Sequence, residues 1–304
     1  MTTTPTATTP GRVHRTAARP SARAGRAGGQ HRAGPLARVL LALAALASLF
    51  PLYWTLVAAS TDSHSVVSSP PPMLPGGNLF DNLTYVWHNA GGRGMGVALL
   101  NSTLVAGAVT VSTVVFSVLA GFAFAKLRFR GKKVLLGLVL STLAVPAQLS
   151  VVPLFILTRN LGLSNHLGAL ILPVLVTAFG VFFMRQFLSQ ALPTELLEAA
   201  RVDGANSSRV IWHVVFPVAR PAMAVLGMLT FVQSWNDFLW PIIVMNGSTN
   251  PTVQVALAGL GTGWSTDWSV ITAGALMGTL PLLLVFALFG RHIVGGITQG
   301  AIKG

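Results

Sequence analysis

The sequence predicts an all-α fold, a polytopic membrane protein with six transmembrane helices. Three observations carry this. Charged residues make up 9% of the chain and hydrophobic residues 52%, whereas a soluble domain carries roughly 25% charge. Six separate apolar stretches each approach the ~20 residues that cross ~30 Å of hydrocarbon. None alternates with the period of two that a barrel strand requires, and helices are the other structure that satisfies its backbone in lipid.

The elements follow in chain order. Residues 1–35 are rich in Thr, Ala, Pro, Gly and Arg and nearly free of large apolar side chains. Such a segment buries too little surface to offset its ordering entropy, so it is expected to be a disordered basic cytoplasmic tail. Two roles stand for its arginines: contact with anionic lipid, or solvation that only fixes orientation. The predicted spans are residues 36–59, 97–125, 134–157, 168–188, 222–245 and 270–290. The first is too long for a cleaved signal peptide. Residues 36–304 form the transmembrane domain.

A net charge of +13 raises nucleic acid as a partner. The apolar spans and the lack of a basic stripe interleaved with aromatics argue for no nucleic acid and for membrane lipid instead. The absence of cysteine excludes thiol catalysis, disulfides and thiolate metal sites.

Basic residues set the orientation. Arg38, then Lys126, Arg128, Arg130, Lys132 and Lys133, then Arg185, Arg201, Arg209 and Arg220, then Arg291 and Lys303 share one side if both termini are inside. Arg93 and Arg159 fall on the other. The positive-inside rule therefore puts both termini in the cytoplasm. On the outer side, residues 60–96 carry a short amphipathic piece near 78–88, with Tyr85 and Trp87 as interfacial anchors. Residues 246–269 carry Trp264 and Trp268 in the same role. The run Gly91, Gly92, Gly94, Gly96 is expected to be a flexible outer loop.

The loop of residues 189–221 holds Glu195, Glu198 and Asp203, three of seven acidic residues. Pro193 suits the first position of a helix, where its missing N–H is no loss. Glu195 then meets the positive end of the helix dipole. Gly204 suits a left-handed stop. Asn206 or Ser207 can cap a second helix, whose Val210, Ile211, Val214, Val215 and Val218 recur at helical spacing. Pro217 and Pro221 are expected to kink or end it before span five.

The run Glu198, Ala199, Ala200, Arg201, Val202, Asp203, Gly204 resembles the EAA motif of bacterial binding-protein-dependent ABC importers. In that family an Ile and a Leu-Pro follow after a fixed gap; here Val214, Phe216 and Pro217 stand there. Asn101 to Ala106, Leu119 to Phe129, Met184 to Phe187, Trp235 to Pro241 and the ending Gly300 to Gly304 resemble the carbohydrate branch, the maltose-type inner permease. The likeness covers residues 36–304.

This resemblance implies a type I ABC importer permease fold in the bacterial inner membrane, and a permease subunit that imports a sugar by alternating access. It implies a non-catalytic chain with no cofactor of its own, ATP and Mg being handled by two cytoplasmic ATPase subunits. A second permease subunit in a heterodimer and an extracytoplasmic sugar-binding protein complete the implied assembly. The loop would hold the coupling helix, with Glu198, Ala199, Ala200, Asp203 and Gly204 engaging the ATPase.

From the residues themselves, no G-x-x-x-x-G-K-[ST] phosphate loop exists. No histidine cluster has metal-ligand spacing, and no catalytic triad pattern occurs. Asp237 is the one carboxylate expected inside a span, where it must face a cavity or a partner. Either Asn236 and Asp237 line a sugar path with Trp235 or Trp240 stacking on a ring face, or they make a polar contact between helices, or Asp237 lies near the outer interface where its cost is low. Gly274 and Gly278 form a small-x-x-x-small face, for packing within or between subunits. The rival to an ATP-driven importer is a stand-alone ion-coupled secondary transporter, supported by Asp237 alone.

Overall fold

The computed structural model describes residues 34–245, 250–261 and 266–301. The tail, Trp264 and Lys303 lie outside the described residues. Twelve labelled helices organise the rest: α1 (Pro35–Ser60), α2 (Leu79–Asn89), α3 (Met95–Lys126), α4 (Lys132–Ser141), α5 (Val151–Asn160), α6 (Gly168–Ile171), α7 (Ala178–Ala191), α8 (Thr194–Val202), α9 (Ser207–Trp235), α10 (Leu239–Val244), α11 (Val253–Leu260) and α12 (Trp268–Ala301).

Among the described residues, four helices are long and apolar enough to cross a membrane: Pro35–Ser60, Met95–Lys126, Ser207–Trp235 and Trp268–Leu288. Two bent pairs, Lys132–Ala144 with Ala147–Asn160 and Gly168–Val174 with Ala178–Ala191, bring the spans to six. The chain forms two compact units that divide after Ser48. In the first unit, Leu36, Val39, Leu40, Leu41, Leu43 and Leu46 of α1 are all exposed. A helix apolar all round suits lipid.

In the second unit α3 is the central helix, packed on α7 and α9. It meets α7 at two glycines, one on each helix. A Cβ on Gly121 would lie 2.7 Å from Met184 Cβ and 2.8 Å from the Arg185 backbone nitrogen. One turn away, Ser117 and Gly180 make the same close approach. Small residues let backbones pack closely where lipid supplies no hydrophobic drive.

The third and fourth spans depart from the uninterrupted helices expected. The third bends by 96°. Val145 is extended (φ −85°, ψ 119°), as a residue before proline tends to be, and Pro146 cannot continue the ladder. The fourth bends by 43°. There Thr113 Oγ1 donates to the Val174 carbonyl (3.1 Å), and the Gly180 N–H donates to Thr177 Oγ1 (3.1 Å). Those bonds satisfy backbone groups the bend releases.

Span five runs over Ser207–Trp235, not 222–245. The expected separate amphipathic helix is its first part. A π-turn over Ile211–Val215 lets the Phe216 N–H reach the Ile211 carbonyl, so Pro217 sits at the start of the next α-helical stretch. Pro217 and Pro221 are carried inside one helix instead of ending it. The 29 residues are roughly 43 Å long, more than hydrocarbon requires.

The glycine run is a tight turn, with φ of +63° at Gly91, +75° at Gly92 and +88° at Gly94. Arg93 Nη1 donates to Asn250 Oδ1 across it (3.0 Å). Tyr85, Trp87 and Trp268 are exposed, as anchors require. Asp62 accepts from the Ser65 N–H (3.0 Å) and Ser65 Oγ (2.6 Å), which holds its carboxyl below the usual carboxylate range. Gly274 and Gly278 pack within the chain: a Cβ there would meet Leu257 and Val253 of α11.

The α3–α7 crossing generates a prediction. Gly121→Ala overpacks the contact and lowers stability by about 1–3 kcal/mol. Gly107→Ala, where nothing lies within 4 Å of the new Cβ, is neutral or slightly stabilising. Thermal unfolding of the purified full chain in detergent compares them, and equal midpoints would show that Gly121 is not a packing constraint.

Candidate functional site: the 189–221 loop and the end of span five

Leu192 is extended (φ −110°, ψ 101°) and buried before Pro193. Pro193 occupies the N-cap position, one residue before helix α8 begins, with ψ at 145°. The extended Leu192–Pro193 step reverses the chain after α7. Glu195 lies in the first turn as expected.

Leu197 is the one buried side chain of α8. It joins a core with Leu188, Leu192, Val210 and Val215. Glu195, Glu198, Ala199 and Val202 stand exposed on the opposite side. Val202 is 87% exposed. Ala200 packs against the core, so of the alanine pair only Ala199 offers its small surface outward. Asp203 and Gly204 are exposed at the helix end.

The helix stops in a Schellman arrangement. The Gly204 N–H donates to the Arg201 carbonyl (3.0 Å) and the Ala205 N–H to the Ala200 carbonyl (2.9 Å). Gly204 has φ +73°, which explains the glycine. Asn206, one of the two caps expected, accepts from the Arg209 N–H through Oδ1 (2.8 Å) and starts α9. Two residues thus separate the caps of an exposed helix and the span it feeds. At the start of α9 the rings of Trp212 and Phe216 stack at 4.7 Å.

At the far end of α9 the structure corrects the position of Asp237. It lies beyond span five, in the break between α9 and α10. Its carboxylate lies beside the backbone N–H groups of Leu239 and Trp240 at the start of α10. Asn236 is exposed, with Nδ2 donating to the Val232 carbonyl (2.8 Å). Both indoles are already engaged. Trp235 is buried, stacked on Phe231, and donates through Nε1 to the Gly278 carbonyl (3.0 Å). Trp240 Nε1 donates to the Ala169 carbonyl (2.9 Å). In this conformation a ring face of Trp235 is not open to a sugar.

Gln254 of α11 completes the cluster, with Nε2 at 3.5 Å from Asn236 Oδ1 and from the Trp235 carbonyl. Sequence reasoning missed it. Its signal was a lone amide in the apolar stretch Val253–Leu260. Among the described residues no three His, Asp or Glu side chains converge as metal ligands.

Residues 113–298 match the family described as binding-protein-dependent transport system inner membrane component. The chain belongs to that family, the membrane-embedded permeases of ABC importers. It is 33% identical over 266 residues to the sn-glycerol-3-phosphate transport system permease protein UgpE of Yersinia pestis bv. Antiqua (strain Antiqua), covering 86% of this chain and 94% of that one. It is 31% identical over 265 residues to the arabinooligosaccharides transport system permease protein AraQ of Halalkalibacterium halodurans, with the same coverage. A crystal structure of a bacterial ABC transporter involved in import of the acidic polysaccharide alginate contains a chain of the same fold (TM-score 0.72, 23% identity, 84% of this chain and 94% of that one). Family membership removes the stand-alone secondary transporter, and makes the chain a multi-pass inner-membrane permease subunit.

The left-handed stop gives a prediction at this site. Gly204→Ala has open space for its methyl group, yet strains the positive φ by about 1 kcal/mol. Gly204→Asn costs less, because Asn tolerates that region. Amide hydrogen exchange at Gly204 and Ala205 should therefore rank the variants as wild type, Asn, Ala from most to least protected.

Proposed function

We propose that this chain is the sugar-conducting permease subunit of an ABC importer. It pairs with a second permease subunit as a heterodimer. It docks through residues 189–221 on the cytoplasmic ATPases, two per assembly, and receives cargo from an extracytoplasmic sugar-binding protein. Both termini are cytoplasmic, following the distribution of basic residues. The chain binds no cofactor; ATP and Mg belong to the ATPase subunits, since no phosphate loop occurs here.

The observation that carries this proposal is the exposed stripe of α8. Glu195, Glu198, Ala199 and Val202 combine carboxylates, a small surface and an apolar patch next to a fixed glycine turn. A helix held by Leu197 and Ala200, and joined by a capped two-residue link to a helix of 29 residues, fits a docking element that moves with span five. Closure of the ATPases would shift α8 and, through α9, the end at Asn236, so that access alternates between the two sides. A sugar as cargo is supported by the polyhydroxy cargoes in the relatives' names, glycerol phosphate and arabinooligosaccharides. Asn236 and Asp237 are the side chains best placed to meet it, with Trp240 beside them and Trp235 as packing support.

The test is the complete importer in proteoliposomes. Glu198→Lys and Gly204→Asp should each lower ATP-dependent uptake at least ~10-fold, the effect of losing a few charge-assisted contacts, while ATP hydrolysis persists. Normal uptake by an assembled Glu198→Lys complex would refute the docking role.

A further inference from the structure

The turn between α3 and α4 concentrates positive charge. Lys126, Arg128, Arg130, Lys132 and Lys133 are five cations within eight residues, and no acidic residue occurs between Asp81 and Glu195. The turn has a defined shape. Phe129 rests on the buried Phe124, ring to ring at 5.9 Å. Gly131 takes φ +80° where α4 begins. Two of the cations are used within the chain: Lys126 Nζ donates to the Ser189 carbonyl near the end of α7 (3.3 Å), and Lys132 Nζ to the Leu127 carbonyl (2.9 Å). Arg128, Arg130 and Lys133 are exposed, and among the described residues no carboxylate pairs with them.

Apolar surface surrounds those three cations. Leu127 and Phe129 alternate with the arginines and are exposed, as are Val134, Leu135 and Leu138 of α4. The helix α4 buries none of its 10 residues, so it takes its position from its surroundings and not from a protein core. Cations and large apolar side chains stand next to one another here, and they need different solvents. The surface of a bilayer supplies both, headgroups for the charges and acyl chains for the rest. A soluble anion would satisfy the arginines and leave the leucines in water.

We propose that Arg128, Arg130 and Lys133 hold the phosphate of an anionic phospholipid whose acyl chains lie along α4. A guanidinium donates in pairs to phosphate oxygens, and the lysine adds a point charge. The bound lipid anchors the α3–α4 turn to the bilayer, while Lys126 ties the same turn to α7. The proposal needs only that α3 ends at a membrane surface, and it holds whatever cargo the chain carries.

The cysteine-free sequence makes the site measurable by fluorescence. Leu135→Cys gives the full chain a single thiol at an exposed position of α4, and bimane is attached there. The labelled chain is reconstituted in phosphatidylcholine vesicles. Quenching is followed as brominated phosphatidylglycerol, or brominated phosphatidylcholine, replaces the unbrominated lipid.

Half-quenching should need ~10-fold less phosphatidylglycerol than phosphatidylcholine. Arg128→Gln, Arg130→Gln and Lys133→Gln should each lower that preference by about two- to threefold, and all three together should bring it to within about twofold of none. Arg128→Lys with Arg130→Lys keeps the charges and should keep most of the preference. Arg220→Gln removes a cation of α9 instead and should leave the preference unchanged.

Equal quenching by the two lipids overturns the site. So does a preference that survives the triple variant, or one that Arg220→Gln lowers as much as Arg130→Gln does. Inorganic phosphate is compared with chloride at equal ionic strength; loss of the preference in phosphate alone would make the ligand a soluble anion and overturn the lipid. The labelled chain is then assembled into the complete importer. A preference that persists there supports the lipid site, and loss of all quenching would show that a protein subunit covers the turn, which overturns it.

Discussion

Helices α3 and α7 approach so closely that Gly121 lies against the α7 backbone and Ser117 takes the space beside Gly180. That contact constrains much else in the fold. It fixes where Met184 and Leu188 enter the core at one end of the bundle. Leu192 and Leu197 follow in the same core, so the reversal at Pro193 and the orientation of α8 depend on it. A single added methyl group would press on the backbone of α7 and not on a flexible side chain. In lipid, where apolar surface alone does not hold helices together, a contact of backbones is among the few ways to make a position definite.

The backbone's need for partners explains the other recurring feature, interrupted helices whose loose ends are tied. Thr113 and Thr177 serve the break in span four, and Asn206 caps the start of span five. Each uses a short polar side chain to replace a bond that an unbroken helix would have made. The π-turn before Pro217 reaches the same end without a side chain, by widening the ladder. Breaks placed in this way bend the bundle without leaving unpaired backbone in hydrocarbon.

Much of this was legible in sequence. Apolar length locates five of the six spans to within a few residues, and the Gly204 stop and Asn206 cap follow from local chemistry alone. Span five is displaced because hydropathy cannot tell an apolar helix from an apolar short helix after a turn: Leu239 to Val244 is as apolar as the span it follows. Pro217 reads as a terminator because a π-turn has no sequence signature. Pro146, in contrast, breaks a span that its neighbours make look continuous. The tight α3–α7 crossing and the Asn236–Gln254 contact depend on which faces meet across the bundle, which no one-dimensional spacing reveals. Trp235 shows the limit most plainly: an aromatic beside polar residues invites a stacking role, yet its ring is taken up by Phe231 and Gly278.

The length of α9 has a mechanical consequence. One helix, widened by the π-turn near its start, joins the turn at Gly204 to the polar cluster after Trp235, spanning roughly 43 Å. Such a member amplifies: a tilt of about 10° pivoting at one end sweeps the other by roughly 7 Å, near the width of a sugar ring and larger than most loop adjustments. A modest rotation at the Gly204 end thus becomes a large displacement at the Trp235 end. The leverage needs no relay of side chains, only a helix that continues past both prolines.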